Sequence, residues 1–371
     1  METLLHYAAS ELDANMLYGT HFHAPDPFVF LEHEQKRYLI ANDLELGRAK
    51  KQSSVDIVLA QSEIEAKLPA DKRQTADVIA KQLENMKVKQ VWVPANFSLG
   101  LAEDLKSRGI EIKIKRGQFF AQRVSKTDEE VEYIREALRA TGRAMMRIRD
   151  IIGLSKVDKE NRLVFENNIL TSEKVKEEVA ISLLKENYVA SHTIVAGGAQ
   201  GSDPHNTGSG PLYAGQSIIC DLFPRSQANF YWGDMTRTFC KGSAPERLKR
   251  KYEMVREGQE IAFRNVKAGM DGQTVHQMIL DYFKKLGFEN KTLPDGTRIG
   301  FIHGTGHGLG LDIHEAPSIS MRESILPLNT VVTVEPGHYE PECSVRLEDV
   351  IWVKEKNCIN LTEVPKELEI D

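Results

Sequence analysis

The stretch 303–314, HGTGHGLGLDIH, constrains this chain more than any other. It sets three histidines (His303, His307 and His314) within twelve residues and separates the first two with glycines. Glycine permits close backbone approach and backbone angles closed to other residues. Core packing gives no reason to crowd imidazoles among glycines, whereas convergence on a small ligand or a metal does. Two acidic pairs flank the stretch, Asp221 and Asp234 before it and Glu335 and Glu348 after it.

Each acidic pair falls on a strand–loop–strand segment. Residues 218–223 (IICDLF) and 230–239 are β-prone, and the intervening PRSQAN is turn-rich. A turn centred between Gln227 and Ala228 sets Asp221 directly against Asp234. Residues 331–335 and 344–353 read as strands around a loop at 336–343, and a turn centred between Pro341 and Glu342 sets Glu335 against Glu348. Opposed side chains in a hairpin have Cβ atoms roughly 5 Å apart. Bare carboxylates that close repel unless a cation neutralises them. We therefore read Asp221, Asp234, His307, Glu335 and Glu348 as a site for two metal ions. Four carboxylates and an imidazole suit Mn²⁺, Co²⁺, Zn²⁺ or Fe²⁺. The absence of thiolates from the set argues against structural zinc.

Length and charge bound the rest. At 371 residues the chain has room for one to three domains. Its 41% apolar and 27% charged residues are those of a globular protein. A net charge of −6 speaks against a nucleic-acid binder. No apolar run is long enough to span a bilayer, and residues 1–14 lack the basic start and apolar stretch of a leader. Four widely spaced cysteines without a CxxC point to free thiols and a cytoplasmic protein, with Cys220 a buried strand thiol.

Residues 1–124 read as an α/β domain. FVFL (28–31) and YLI (38–40) form a hairpin, 55–59 and 91–93 are further strands, and Ile110, Ile112 and Ile114 alternate with charged residues. Ile79, Leu83 and Met86, and then Leu101 and Leu105, mark helices. His21 and His23 are tempting as a metal pair on one strand face, but no acidic or cysteine partner is recognisable nearby, so we read them as a surface or inter-domain contact. The domain join falls near Val124. Thr127 and Glu130 then form a capping box, and Val131, Ile134, Leu138, Thr141, Met145, Ile148 and Ile152 recur as the core stripe of a long helix ending at Gly153. A second helix spans about 172–186, and 197–205 is a loop. We find no internal repeat.

The segments PHNTGSGPL, DLFPRSQANFYWGDMTRTF, HGTGHGLGLDIHEAP, TVEPGHY and SVRLED resemble, in order and spacing, the pita-bread metallopeptidases: aminopeptidase P, prolidase, methionine aminopeptidase and creatinase. The α/β domain and the join KTDEEVEYIREA resemble the aminopeptidase P and prolidase branch. The resemblance implies a pita-bread α+β catalytic domain at 125–371 after the N-terminal domain at 1–124. It implies that Asp221, Asp234, His307, Glu335 and Glu348 ligate two ions, with Asp234 and Glu348 bridging and Glu335 shuttling the proton of a bridging hydroxide. His303 and His314 match histidines that orient the scissile carbonyl and stabilise the tetrahedral intermediate. His205 matches one near the leaving side, and Arg346 an arginine beside the second bridging glutamate. Two features depart from the family. Phe223 stands where a glycine is usual, and the interval from Asp221 to Asp234 is two residues longer than is common, which bears on the shape of the substrate pocket.

The leading expectation is a cytoplasmic, manganese-dependent Xaa-Pro aminopeptidase, with a Xaa-Pro dipeptidase (prolidase) as the alternative. A non-catalytic peptide- or protein-binding relative and a metal-free, creatinase-like hydrolase are the rivals from other classes. The filled ligand set speaks against both. The expected partners are peptides with proline second, not nucleic acid or membrane, and the family's habit implies a homodimer.

Overall fold

A computed structural model describes residues 2–371. The chain separates into two compact units, Met1–Arg123 and Val124–Asp371.

The first unit is built on a six-stranded sheet. Its strands are β1 (Leu4–Ala8), β2 (Phe28–His33), β3 (Lys36–Ala41), β4 (Ile57–Ala60), β5 (Gln90–Pro94) and β6 (Glu111–Lys115), in the order β4-β3-β2-β1-β5-β6. The expected hairpin is β2–β3. Glu34 and Gln35 both take positive φ (49° and 63°), the twist that a two-residue turn needs. Strand β1 goes beyond the sequence reading. It is central, antiparallel to β2 and parallel to β5, and buried at its start. A strand of that kind lacks the alternation that reveals a half-exposed one. The His21–His23 segment is not a strand. His21 is the left-handed cap of helix Ala14–Thr20 (φ 47°), so the two imidazoles share no strand face.

The second unit opens with helix Asp128–Leu154, whose capping box closes in both directions. The Glu130 amide donates to Thr127 Oγ1 (3.2 Å), and the Thr127 amide donates to Glu130 Oε2 (2.8 Å). All seven residues of the expected stripe are buried. With helix Ser172–Lys185 it covers a sheet of β7 (Ile194–Gly197), β8 (Ile218–Leu222), β9 (Met235–Lys241) and the terminal pair Glu369–Ile370. The same succession then recurs. Helices Glu246–Asn265 and Gly272–Lys285 cover a sheet containing β10 (Gly306–Gly308), β11 (Glu315–Ile319), β12 (Val331–Val334), β13 (Asp349–Val353) and β14 (Cys358–Asn360). The order across that sheet is β11-β10-β12-β13-β14. Each half therefore has its own core, and each contributes one of the acidic segments.

The halves interlock where β9 meets residues 346–349. Arg237, fully buried on β9, bonds Asp349 Oδ1 (2.8 Å), the Glu348 carbonyl (2.8 Å) and the carbonyls of Val364 and Pro365. Thr238 Oγ1 donates to the Arg346 carbonyl (2.8 Å) and accepts from its amide (3.1 Å). Breaking a buried pair on one side strands the other charge, at a cost of about 3–5 kcal/mol. Asp349→Ala is expected to lower the urea midpoint by that amount of stability, with an unchanged m-value. Replacing both partners (Arg237→Met with Asp349→Leu) is expected to recover little, because Arg237 also serves the Glu348, Val364 and Pro365 carbonyls and Asp349 also holds Lys366 (2.7 Å), and chemical denaturation of the three proteins checks this.

Candidate metal centre and active site

In the first half, register decides what the aspartates face. Ile218 pairs with Phe239, Asp221 with Thr236 and Leu222 with Met235, and beyond the strands Arg225 bridges Trp232 in the same register. Asp221 thus opposes Thr236, which corrects the expected opposition to Asp234. The turn lies one residue later than expected. Phe230 takes a left-handed conformation (φ 67°), and the Ser226 amide bonds the Tyr231 carbonyl. Shifting a turn centre by one residue moves every partner by two. Asp234 consequently faces Phe223 and lies diagonal to Asp221. Because side chains repeat on a face every second residue, both carboxylates still point the same way.

In the second half the register argument holds. Val334 pairs with Asp349 on one side of the acidic positions and Gly337 with Arg346 on the other, so Glu335 faces Glu348. Their amides turn outward, Glu335 to the Thr305 carbonyl (2.7 Å) and Glu348 to the Thr236 carbonyl (3.0 Å). The second of these brings Glu348 against β9 of the first half. Between the pairs stands His307 on β10. Its neighbour Gly306 admits no side chain, because a Cβ there would lie 1.9 Å from the Thr333 carbonyl oxygen.

All nine candidate residues (His205, Asp221, Asp234, His303, His307, His314, Glu335, Arg346 and Glu348) line one cavity of about 760 Å³. One ligand atom each of Asp234, His307 and Glu348 lies within 4.8 Å of the others. His307 Nδ1 is 3.1 Å from the Gly308 carbonyl, which can only accept, so Nδ1 carries the proton. The lone pair of Nε2 then faces Glu335 Oε1 (3.3 Å) and Asp234 Oδ2 (3.8 Å). Asp221 Oδ2 accepts from Arg346 Nη2 (2.7 Å), while its Oδ1 is buried without a partner. Lone pairs facing lone pairs, beside an orphaned carboxylate oxygen, form a donor set that fits divalent cations.

The electrostatics agree. Burial, then Asp221 and Glu335, push the Asp234 carboxyl well up, and burial, then Asp234, do the same to Glu348. Glu335 is pushed up to about 8 by burial, against the pull of Arg346. Burial and Arg346 hold His303 down to about 3, burial and His314 hold His307 down to about 4, and burial and His205 lower His314. Neutral imidazoles are available as ligands or as hydrogen-bond donors.

Several residues at the site escape the sequence reading. Buried Tyr339 accepts from Arg346 Nη1 (3.0 Å) and donates to His303 Nε2 (2.7 Å), while His303 Nδ1 donates to the Gly304 carbonyl (2.7 Å). Both nitrogens of His303 are thereby engaged. Thr333 Oγ1 holds Glu335 (3.3 Å) and Thr236 Oγ1 holds Glu348 (2.8 Å). The long hairpin tip also acquires a purpose. Trp232 donates from its amide to the Gly310 carbonyl and from Nε1 to the Leu311 carbonyl, both at 3.0 Å, clamping the loop that carries His314. Tyr339, Thr333, Thr236 and Trp232 all lie inside the segments TVEPGHY and DLFPRSQANFYWGDMTRTF that carry a signal, but nothing within those segments singles them out as site residues.

The chain belongs to metallopeptidase family M24, whose profile matches residues 132–355. It is a metallo-exopeptidase of the pita-bread fold, preceded by an α/β N-terminal domain. Its relatives carry more particular names. The Xaa-Pro dipeptidase of Pyrococcus furiosus is 29% identical over 309 residues, covering 82% of this chain and 82% of the relative. The solved X-Pro aminopeptidase of Thermotoga maritima superposes with a TM-score of 0.82 at 24% identity, covering 100% of this chain and 98% of that one. The Xaa-Pro dipeptidase of Bacillus anthracis does so with a TM-score of 0.83 at 24% identity, covering 100% and 95%. At those identities the two structures speak to the fold. Among the described residues no helix is long and apolar enough to cross a membrane. The four cysteines are free, and Cys220 is buried as expected.

The raised carboxyls have a consequence for stability. A folded-state pKa above the unfolded value means that the folded chain binds more protons. The associated stabilisation is complete below the ordinary glutamate value of 4.5 and is lost as pH rises through about 8, the value reached by Glu335. The lowered histidines act in the opposite sense up to the ordinary imidazole value of 6.5, so chelator-treated protein is expected to melt at progressively lower temperature from about pH 6.5 to about 8, and saturating Mn²⁺ is expected to flatten the trend. Thermal melts across pH, with and without the ion, check this.

Proposed function

We propose that the chain is a two-metal Xaa-Pro aminopeptidase, with residues 125–371 as its catalytic domain and 1–124 as a separate N-terminal domain. The observation that carries this reading is the His307 Nε2 lone pair facing Glu335 and Asp234, with Glu348 alongside. In this reading Asp221, Asp234, His307, Glu335 and Glu348 hold two divalent ions, with Mn²⁺ the first choice and Co²⁺, Zn²⁺ or Fe²⁺ as substitutes. Asp234 and Glu348 would contribute one carboxylate from each half to holding them. When bound, the ions supply an ionised water near neutral pH and polarise the scissile carbonyl.

The chain's own groups do the rest. Glu335, steadied by Thr333, takes the proton of the attacking water and returns it to the leaving nitrogen. An amide nitrogen departs as an amine only once protonated, and for proline's tertiary nitrogen that proton becomes its N–H. His314, held neutral and packed edge-on to His307 (centroids 4.2 Å apart), donates a hydrogen bond to the developing oxyanion. His303, expected from the resemblance to orient the scissile carbonyl, has both ring nitrogens bonded to Tyr339 and the Gly304 carbonyl and in this reading acts instead through Tyr339 and Arg346, which orient Asp221. His205, exposed on its loop, borders the leaving side. Arg346 is committed to Asp221, Tyr339, Thr236 and the Pro204 carbonyl. Among the described residues lining the cavity, that leaves a dipeptide's carboxylate no guanidinium or ammonium of its own, which supports peptides longer than two residues. The prolidase reading has its own support in the names of the Pyrococcus and Bacillus relatives. The free thiols accord with a cytoplasmic setting, and a homodimer is the family expectation.

The test compares a Xaa-Pro dipeptide with a Xaa-Pro-Xaa tripeptide, using chelator-stripped protein with and without Mn²⁺, Co²⁺ or Zn²⁺. Metal-restored cleavage of the Xaa-Pro bond, faster for the tripeptide, is expected. Glu335→Ala is expected to lower turnover by about 10²–10⁴-fold. Strong preference for the dipeptide installs the prolidase reading. Two bound ions without cleavage means the substrate class is wrong, and failure to bind metal removes the site.

A further inference from the structure

We propose that Phe223 sets the preference for the substrate's first residue and favours a large apolar side chain there. This rests on the Xaa-Pro reading. The sheet of the first half presents a small grid to the cavity. One rung is Ile194, Asp221 and Thr236, paired directly across three strands. The register bracketed by Leu222–Met235 and Arg225–Trp232 makes Phe223 and Asp234 the next rung. Phe223 shares a face with Asp221, two residues away, and is half-buried with its side chain lining the cavity. Ile194, on the other side of Asp221, lines it as well.

An exopeptidase substrate brings a free amine, whose neutral form can ligate a divalent ion. Asp221, whose Oδ1 is buried without a partner, and Asp234 would hold such an ion beside Phe223. The first side chain springs from the carbon that bears the amine, so an amine held at the ion site of Asp221 and Asp234 would deliver that side chain toward the Phe223 ring and Ile194. Apolar surface buried there is removed from water, and the gain grows with side-chain size. A glycine at the first position leaves the ring uncovered.

The experiment uses the full-length, Mn²⁺-loaded protein and the peptides Leu-Pro-Xaa and Gly-Pro-Xaa. Hydrophobic pockets discriminate by roughly 10–200-fold per methylene at best, so the wild type is expected to favour leucine by about tenfold or more in kcat/KM. In Phe223→Gly the preference is expected to collapse to within about threefold, mainly through a raised KM for the leucine peptide. Phe223→Leu, which keeps an apolar wall, is expected to retain an intermediate preference, and it carries the test if the glycine variant does not fold. Calorimetric binding of free leucine against free glycine gives the same comparison without turnover. An unchanged leucine-to-glycine ratio in both variants, or a wild type that prefers glycine, overturns the proposal while leaving the peptidase reading intact. A wild type that binds Mn²⁺ and cleaves neither peptide overturns both.

Discussion

Everything in the second unit is arranged around the crowding of four carboxylates on one buried floor. Such a cluster opposes its own folding, because burial and mutual repulsion both penalise the charged forms. The structure holds it with two buried arginines on crossing strands. Arg346 reaches Asp221 within the cavity, and Arg237 reaches Asp349 on the far side. Between them Thr236 and Thr238 bond the chain at 346–348 through side chain and backbone. The crossing that joins the halves is thus the feature that brings their acidic pairs together. Loosening it is expected to cost stability and site geometry at once.

The same crowding accounts for the protonation states. Desolvation and neighbouring acids raise Asp234, Glu348 and Glu335, while burial lowers His303, His307 and His314. Each group is pushed toward neutrality in the absence of a cation, and each is of a type that a divalent ion would hold in its metal-binding form. Hydrogen bonds complete the preparation. The Gly308 carbonyl selects the His307 tautomer that leaves Nε2 free to ligate, and Tyr339 ties His303 to Arg346. Such supporting bonds orient first ligands and tune them.

How far the sequence could be read depended on the kind of signal. Helix Asp128–Leu154 was legible in full because its cap and its stripe are local. The two acidic hairpins rest on one argument, turn placement. It succeeded for Glu335 and Glu348 and missed by one residue for Asp221 and Asp234, because Phe230 adopts a left-handed conformation that nothing in PRSQAN announces. Helix Glu246–Asn265 went unread, its buried face interrupted by Lys251 and Gln259, which find partners in the Cys343 and Val334 carbonyls. Buried polar groups with distant partners look like surface when only neighbours along the chain are in view.

The sequence by itself determined the donor types, their order and the parity that keeps each acidic residue on the same face as its partner. Parity survives a one-residue error in a turn, since partners move by two, and so the converging set was recoverable although one opposition was not. The tertiary structure alone decided which atoms meet. It placed Glu348 against β9, engaged both nitrogens of His303, clamped the His314 loop with Trp232 and set Phe223 across from Asp234. Those contacts join residues far apart in the chain, and their geometry is set by how two separately built cores dock, which no local pattern encodes.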